Sequence, residues 1–426
     1  MSKPIDADLL APQLLDEIRA CLMHVESDPF MGPRIFLENA GGSLRLKSVC
    51  EAVARETAIP DNEGRITAAS AHVSEMIQRG REDARLFFGA ASGRVVAAQT
   101  TTQIIFRIIR AIAENVCGSN IVTTSLEHPS IFDSTRLYAE AGGKAWRVAA
   151  LNPATGGVDP EAILREIDHE TSLLAFIHAS NITGAVLDAA YIIREARRIK
   201  PDIMVVIDGT QHAPHAPVDV EALGCDAYCF APYKILGKVG IGFGWISDRV
   251  AALPHDRLLG KAFEDWNLGT QEHAAYVCWS AVIDYLTWLG QKATASCDRR
   301  AQIMAAMELA ARHEHALLRR VLHGAGEQRG LLAMPHVTLY GFDGQTTNRD
   351  CVVAFNVEGL AAAEAVQRYR EAGVIVHYRS SDAYSRHVLE ALGVTSLVRL
   401  SALHYNTREE IDRFLEVADC LRGAGE

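Results

Sequence analysis

Residues 203 to 244 read IMVVIDGTQHAPHAPVDVEALGCDAYCFAPYKILGKVGIGFG. An apolar run, Ile203 to Ile207, stops at an acid, Asp208; a second, Ala227 to Phe230, leads through Ala231-Pro232-Tyr233 to Lys234; then come Gly240, Gly242 and Gly244. The first run is short, β-branched and almost continuously apolar, which is the pattern of a strand buried on both faces. Asp208 therefore falls at the carboxyl end of a strand, where open α/β sheets bind their ligands. The glycines let backbone approach a neighbour closely. They lack the spacing and the helix-opening context of a dinucleotide fingerprint.

An acid and a lysine at two strand ends of one unit suit one cofactor in particular. A lysine holds pyridoxal 5'-phosphate (PLP) as a Schiff base, and an anionic partner keeps the ring nitrogen protonated so that the ring accepts electrons. Taken alone, the two residues read equally well as a turn-capping acid and a surface lysine.

Outward from this stretch, strands and helices alternate between about residues 95 and 246, as in a doubly wound parallel sheet or a closed barrel. Upstream, Val95 to Ala98 leads to Gln99-Thr100-Thr101-Thr102 at the start of a helix running to Asn115. Hydroxyls and free N–H groups at a helix N-terminus make a natural phosphate site, and Thr101 and Thr102 are the candidates. Ile121 to Thr124 delivers Glu127-His128-Pro129-Ser130, and Leu173 to His178 delivers Ser180-Asn181-Ile182-Thr183-Gly184. Nearer the start, Asp8 to Val25 reads as an amphipathic helix, and Ile35 to Gly42 as a strand ending in Glu38-Asn39-Ala40-Gly41-Gly42. Asp159-Pro160 and Asp188 read as helix caps. Downstream, Trp266 to Gln271 contains Gly269-Thr270, and a helix follows to Leu289. Val352 to Val357, Val374 to Tyr378 and Val398 to Ser401 read as strands, with Thr407 and Glu410 spaced as a capping box.

Together these motifs resemble the class V aminotransferases, PLP enzymes of fold-type I, and in particular their cysteine desulfurase-like subgroup. The likeness rests on Asp208-Gly209-x-Gln211, then Pro214-His215-x-Pro217-x-Asp219, then Lys234, and it extends from about Phe36 to Thr407. It implies a large domain, residues 31–289, with a mostly parallel seven-stranded doubly wound sheet. A smaller α+β domain, 290–426, and an N-terminal segment, 1–30, packed on that domain complete the chain. It implies that Lys234, His128 and Asp208 are catalytic. The cofactor would be held by Thr101, Thr102, His128 stacked on its ring, Asn181, Asp208, Gln211, His215, Tyr233, Lys234 and, from a neighbouring subunit, Thr270. The substrate would meet Arg399, as a clamp on its carboxylate, with Arg379, Asn39, His212 and Tyr384 around it. A homodimer with shared sites follows from the role of Thr270.

The pattern departs from that of the desulfurases where their persulfide-forming cysteine belongs. Tyr384 holds the best-matching position, and no cysteine lies between Cys351 and Cys420. Without a thiolate to take and keep sulfur, the expected reaction is loss of a Cβ substituent from a small amino acid. C–S or C–C cleavage would qualify, decarboxylative aldol chemistry included. An aminotransferase and an amino-acid epimerase, the latter needing two opposed bases such as Lys234 with Tyr233 or His212, use the same scaffold. Beside the lysine, Ala231 and Tyr233 stand where the family usually has serine and histidine.

Composition bounds the remaining classes. The net charge of −11 argues against a sequence-independent grip on nucleic acid, and no apolar run suits a membrane span. Nine scattered cysteines and the absence of a signal-like leader point to a cytoplasmic protein. Cys225 and Cys229 read as buried structural thiols, and no metal site is expected.

Overall fold

The structure, a computed structural model, describes residues 8–421. The main sheet contains β1 (Arg94–Ala98), β2 (Asn120–Thr124), β3 (Ala145–Ala149), β4 (Thr171–Ile177), β5 (Met204–Asp208), β6 (Ala227–Phe230) and β7 (Gly242–Ile246). Their order across the sheet is β1-β7-β6-β5-β4-β2-β3. Strands β2 to β6 pair in parallel, and β7 runs antiparallel between β1 and β6. Every residue of β4, β5, β6 and β7 is buried, as expected of strands covered on both faces. On one face Ile104, Ile105, Ile108 and Ile112 of α3 (Thr101–Asn115) pack on Val96, Leu173, Val206 and Cys229. On the other, Phe87 and Phe88 of α2 (Ala68–Phe88) and Trp279 of α5 (His273–Gln291) pack around Phe230. The fold is the doubly wound α/β class with a mostly parallel seven-stranded sheet, and the barrel is excluded.

A second sheet, β8 (Val337–Tyr340), β9 (Val352–Val357), β10 (His377–Ser380) and β11 (Ser396–Ser401), is antiparallel throughout in the order β8-β9-β11-β10. Its core joins Phe355, Val398 and Leu400 to residues of α6 (Arg299–His323), α7 (Ala362–Glu371) and α8 (Arg408–Cys420). The early part of the chain is sewn onto this later part. Arg19 of α1 (Pro12–Ala20) donates to the Tyr405 carbonyl at 2.8 Å and to Glu410 at 3.0 Å. Ile35 and Phe36 pair in parallel with Val374 and Ile375, and Glu38 bridges to Ser401.

Some elements differ from their expected extent. Helix α1 is shorter than Asp8 to Val25, because Leu22 leaves it to bridge with Leu46. The run Val374 to Tyr378 divides at Val376: its first half pairs with Ile35 and Phe36, its second with β11. Asp159 precedes its helix without a cap bond, since both its oxygens accept from Asn152. The box of Thr407 and Glu410 forms in full.

Candidate active site

The carboxyl ends of β4, β5 and β6, the N-termini of α3 and α4 (Pro129–Ala141), and one face of β10 and β11 enclose a cavity of about 520 Å3. Lys234 lies in the short turn Pro232–Lys234 after β6, is 8% exposed, and projects its Nζ onto the Ala40 carbonyl oxygen. Its ammonium lies 5.2 Å from the centre of the Tyr233 ring. Burial, then the Arg399 guanidinium, pulls the Lys234 pKa down to about 7 against Glu38 and Asp208. An amine that is substantially neutral near pH 7 is a competent nucleophile.

Asp208 ends β5 and is 3% exposed. Its Oδ2 accepts the Ser130 hydroxyl at 2.9 Å and its Oδ1 the Thr210 amide at 3.0 Å. His128 caps α4, its Nδ1 lying 3.1 Å from the Ser130 amide and 2.8 Å from the Ser130 hydroxyl. Burial holds this ring towards its neutral form, with Asp208 opposing. Ser130 thus ties His128 to the acid. Behind them, burial pushes the Glu127 carboxyl well above its ordinary range, the Thr124 hydroxyl opposing and Asp208 adding to the rise.

At the opposite end, Thr100 caps the 15-residue α3 by accepting the Gln103 amide at 3.2 Å. That leaves the Thr101 hydroxyl buried and without a partner, and Thr102 exposed on the cavity wall. Strand β7 comes flush behind this turn because Gly242 has no side chain; a Cβ there would lie 2.4 Å from the Thr101 nitrogen. A helix N-terminus, an unsatisfied hydroxyl, a buried lysine and a buried acid fit a phosphorylated pyridine aldehyde in size, charge and polarity. Thr101, Thr102, Asn181, Asp208, Gln211, Tyr233 and Lys234 line the cavity where such a group would be held, with His128 beside Asp208.

Arg399, 1% exposed on β11, donates to the Asn181 carbonyl at 2.7 Å and to Glu38 Oε1 at 2.6 Å. Arg379 also faces the cavity, where its Nε donates to Ser385 Oγ at 2.8 Å. Tyr384 stands at the mouth, 59% exposed, with its ring 5.9 Å from that of His128.

Three expected residues, His215, His212 and Asn39, do not line the cavity. His215 sits behind Gln211, 3.2 Å from its Nε2, and pairs at 2.6 Å with Glu314 of α6. Burial works against its charge, but Glu314 and Asp350 outweigh this and raise its pKa. His212 turns away from the cavity, its ring 4.1 Å from that of His178 and its Nδ1 3.1 Å from Asp350. It cannot be a base for an epimerase there. Asn39 is buried in bonds to the Ser401 carbonyl and to Asn406 and Tyr405, so the neighbouring residues Glu38, Ala40 and Gly41 line the cavity instead. Thr270 is exposed in an adjoining cavity of about 890 Å3 that shares Gln99, Thr100 and Thr102 with the first. The motifs did not single out Glu38, Ser130 or His377, although Glu38 stood next to Asn39 and Ser130 next to Pro129.

The family model described as aminotransferase class-V matches residues 35–414. The aminotransferase-like protein FGM3 of Gibberella zeae is 28% identical over 405 residues, covering 90% of this chain and 93% of its own. A cysteine desulfurase of Salmonella gallinarum is 28% identical over 369 residues, covering 82% and 83%. The structure of an apo cysteine desulfurase from Thermococcus onnurineus superposes with a TM-score of 0.79 at 22% identity, covering 95% of this chain and 97% of that one. The chain belongs to the class-V aminotransferase family, whose members are PLP-dependent enzymes.

Proposed function

We propose that this protein binds PLP at Lys234 and removes a substituent from Cβ of a small amino acid, as a lyase that forms no persulfide on itself. The observation that carries the cofactor is the meeting of Lys234, Asp208 and the open end of α3 in one cavity. When bound, the cofactor supplies an electron sink for charge developed at the substrate Cα. The rest falls to the chain. Lys234, about half of it neutral at pH 7, would hold the cofactor, and its amine, once freed, is placed to take the proton from Cα. Asp208, fixed by Ser130 and Thr210, is the acid that would partner the ring nitrogen. Arg399 and Arg379 orient the acidic groups of the substrate. The nine cysteines all lie outside the cavity lining, which supports release of the leaving group over its capture. Tyr233 alone of the two possible partners for Lys234 in an epimerase lines the cavity, and it is Lys234's chain neighbour. That counts against two opposed bases.

The test is an absorption spectrum of the purified protein, then of the protein with small amino acids added singly. A Schiff-base band at ~400–430 nm that Lys234→Ala abolishes is expected. So is release of sulfide, sulfite or carbon dioxide. Stoichiometric keto acid, with the cofactor left as its amine, would make the protein an aminotransferase instead. The exposed Thr270 and the neighbouring exposed Leu258, Leu259, Phe263 and Leu268 support a homodimer that shares its sites across the two copies. Light scattering is expected to give twice the 46.4 kDa chain mass.

A further inference from the structure

The most buried cation of the cavity is already engaged. Arg399 is 1% exposed, and a guanidinium this deep needs an anion. Glu38 is that anion, 2.6 Å away with its side chain 17% exposed. The contact uses one oxygen and one Nη; the second oxygen, Glu38 Oε2, and the Arg399 Nε are both buried without a partner. The pair is therefore half made, unlike the two-bond fork that a well-seated carboxylate forms with arginine. The backbone is shaped for it. A Cβ on Gly41 would lie 2.3 Å from Glu38 Oε1, so glycine at 41 is what admits the carboxylate. Segment 38–40 is in turn pinned by the Ala40 amide to Ser401 Oγ at 2.7 Å, on the strand that carries Arg399. Arg379 is differently placed. Its bonded partner is the neutral Ser385, and the acid it faces, Asp382, is 4.0 Å away and half exposed. His377, two residues before it and cross-strand to Arg399, lines the same wall.

We propose that Glu38 determines which acids this site takes. Its carboxylate keeps Arg399 from a lone substrate carboxylate and leaves Arg379 as the open anion subsite. The site then selects amino acids that carry a second acidic group on the side chain. The distal acid docks at Arg379, and the α-carboxylate, held close by that anchor, displaces Glu38 from Arg399 and completes the fork. An amino acid with a single carboxylate has no such anchor and competes poorly with a carboxylate built into the chain. This deepens the proposed reaction and rests on it for the identity of the substrate. A side-chain acid on Cβ, carboxylate or sulfinate, is also the group that the reaction would expel.

The experiment is calorimetric titration of the full-length protein, as purified, with propionate and with succinate. Neither has an amine to react, so both report on the arginines alone. Wild type is expected to bind succinate at least about tenfold more tightly than propionate, the scale of one charge-assisted bond. Glu38→Gln and Gly41→Ala are each expected to tighten propionate about tenfold. The second variant displaces only the flexible end of Glu38, keeps both charges, and guards against loss of fold in the first. Arg379→Gln is expected to remove succinate binding. Equal affinities for the two acids in wild type, or propionate affinity unchanged in both Glu38→Gln and Gly41→Ala, would overturn the proposal. Failure of the cofactor assignment shows separately, as a missing Schiff-base band with the acid preference intact.

Discussion

At the scale of single residues, Lys234 makes the sharpest prediction. Its pKa near 7 means that capture of added PLP should accelerate as pH rises through 7 and then level off. An ordinary lysine would go on accelerating towards its usual value of 10.5. Stopped-flow absorbance across pH 6 to ~10 separates the two, and a rate still climbing above pH ~9 would rule out the depressed value. Ser130 makes the second. Its one hydroxyl proton goes to the carboxylate of Asp208, which can only accept, so the 2.8 Å contact with His128 needs an Nδ1–H, while the 3.1 Å contact from the Ser130 amide needs Nδ1 bare. Ser130→Ala leaves only the amide, and the ring should settle with its proton on Nε2. Nitrogen NMR of labelled histidine reads the change, and an unaltered tautomer would show that Ser130 does not govern it. Lys234 and Asp208 were legible from sequence because each closes an apolar run. Ser130 was not, since its partner Asp208 lies 78 residues away. Glu38 was passed over for Asn39 because strand polarity does not reveal which of two adjacent residues faces a cavity. His212 was over-read for the same reason, one position beyond Gln211.

At the scale of elements, the contact between β7 and the N-terminus of α3 can be broken with one carbon. In Gly242→Ala the new Cβ meets backbone, the Thr101 nitrogen, which cannot swing aside. We expect a loss of about 1–3 kcal/mol in denaturant unfolding and weaker retention of PLP through the displaced helix end. Gly260→Ala, where nothing lies within 4 Å, should stay within about 0.5 kcal/mol of wild type. Strands β1, β2, β4, β5 and β6 were legible to within a residue or two, because burial on both faces leaves few polar interruptions; β7 was not, because its glycines read as a close backbone approach and hide the strand. The break at Val376 was not. Its two halves look alike as sequence and differ only in which distant partner each pairs with.

At the scale of the whole molecule, His215 and Glu314 join the loop after β5 to α6. His215 is raised above its ordinary value of 6.5, so its contribution is full below pH 6.5 and fades as pH rises through the folded value. Glu314 is lowered from 4.5: burial opposes this but His215 outweighs it, so its contribution is lost as pH falls through the carboxylate range. Glu314→Gln should cost about 3–5 kcal/mol at pH 6, and the gap to wild type in melting temperature should narrow on both sides of that window. A gap independent of pH would show that the two do not titrate as a pair. The mostly parallel seven-stranded sheet was legible in outline; the seams between early and late chain were not, because sequence spacing carries no sign of them. Those seams have a consequence for how the protein is born. Ile35 cannot find Val374, nor Glu38 meet Arg399, until the ribosome has made more than three hundred further residues. The main sheet is complete at Ile246 and Arg399 comes about 150 residues later, so at ~5–20 residues per second there are roughly 8–30 s in which the β-sheet of the cofactor site exists while one wall of its pocket does not. A nascent chain stalled short of Ser401 would carry Lys234 but neither Ala40 nor Glu38 in place, so the cofactor's reactive aldehyde meets a finished pocket only after Ser401 has been made.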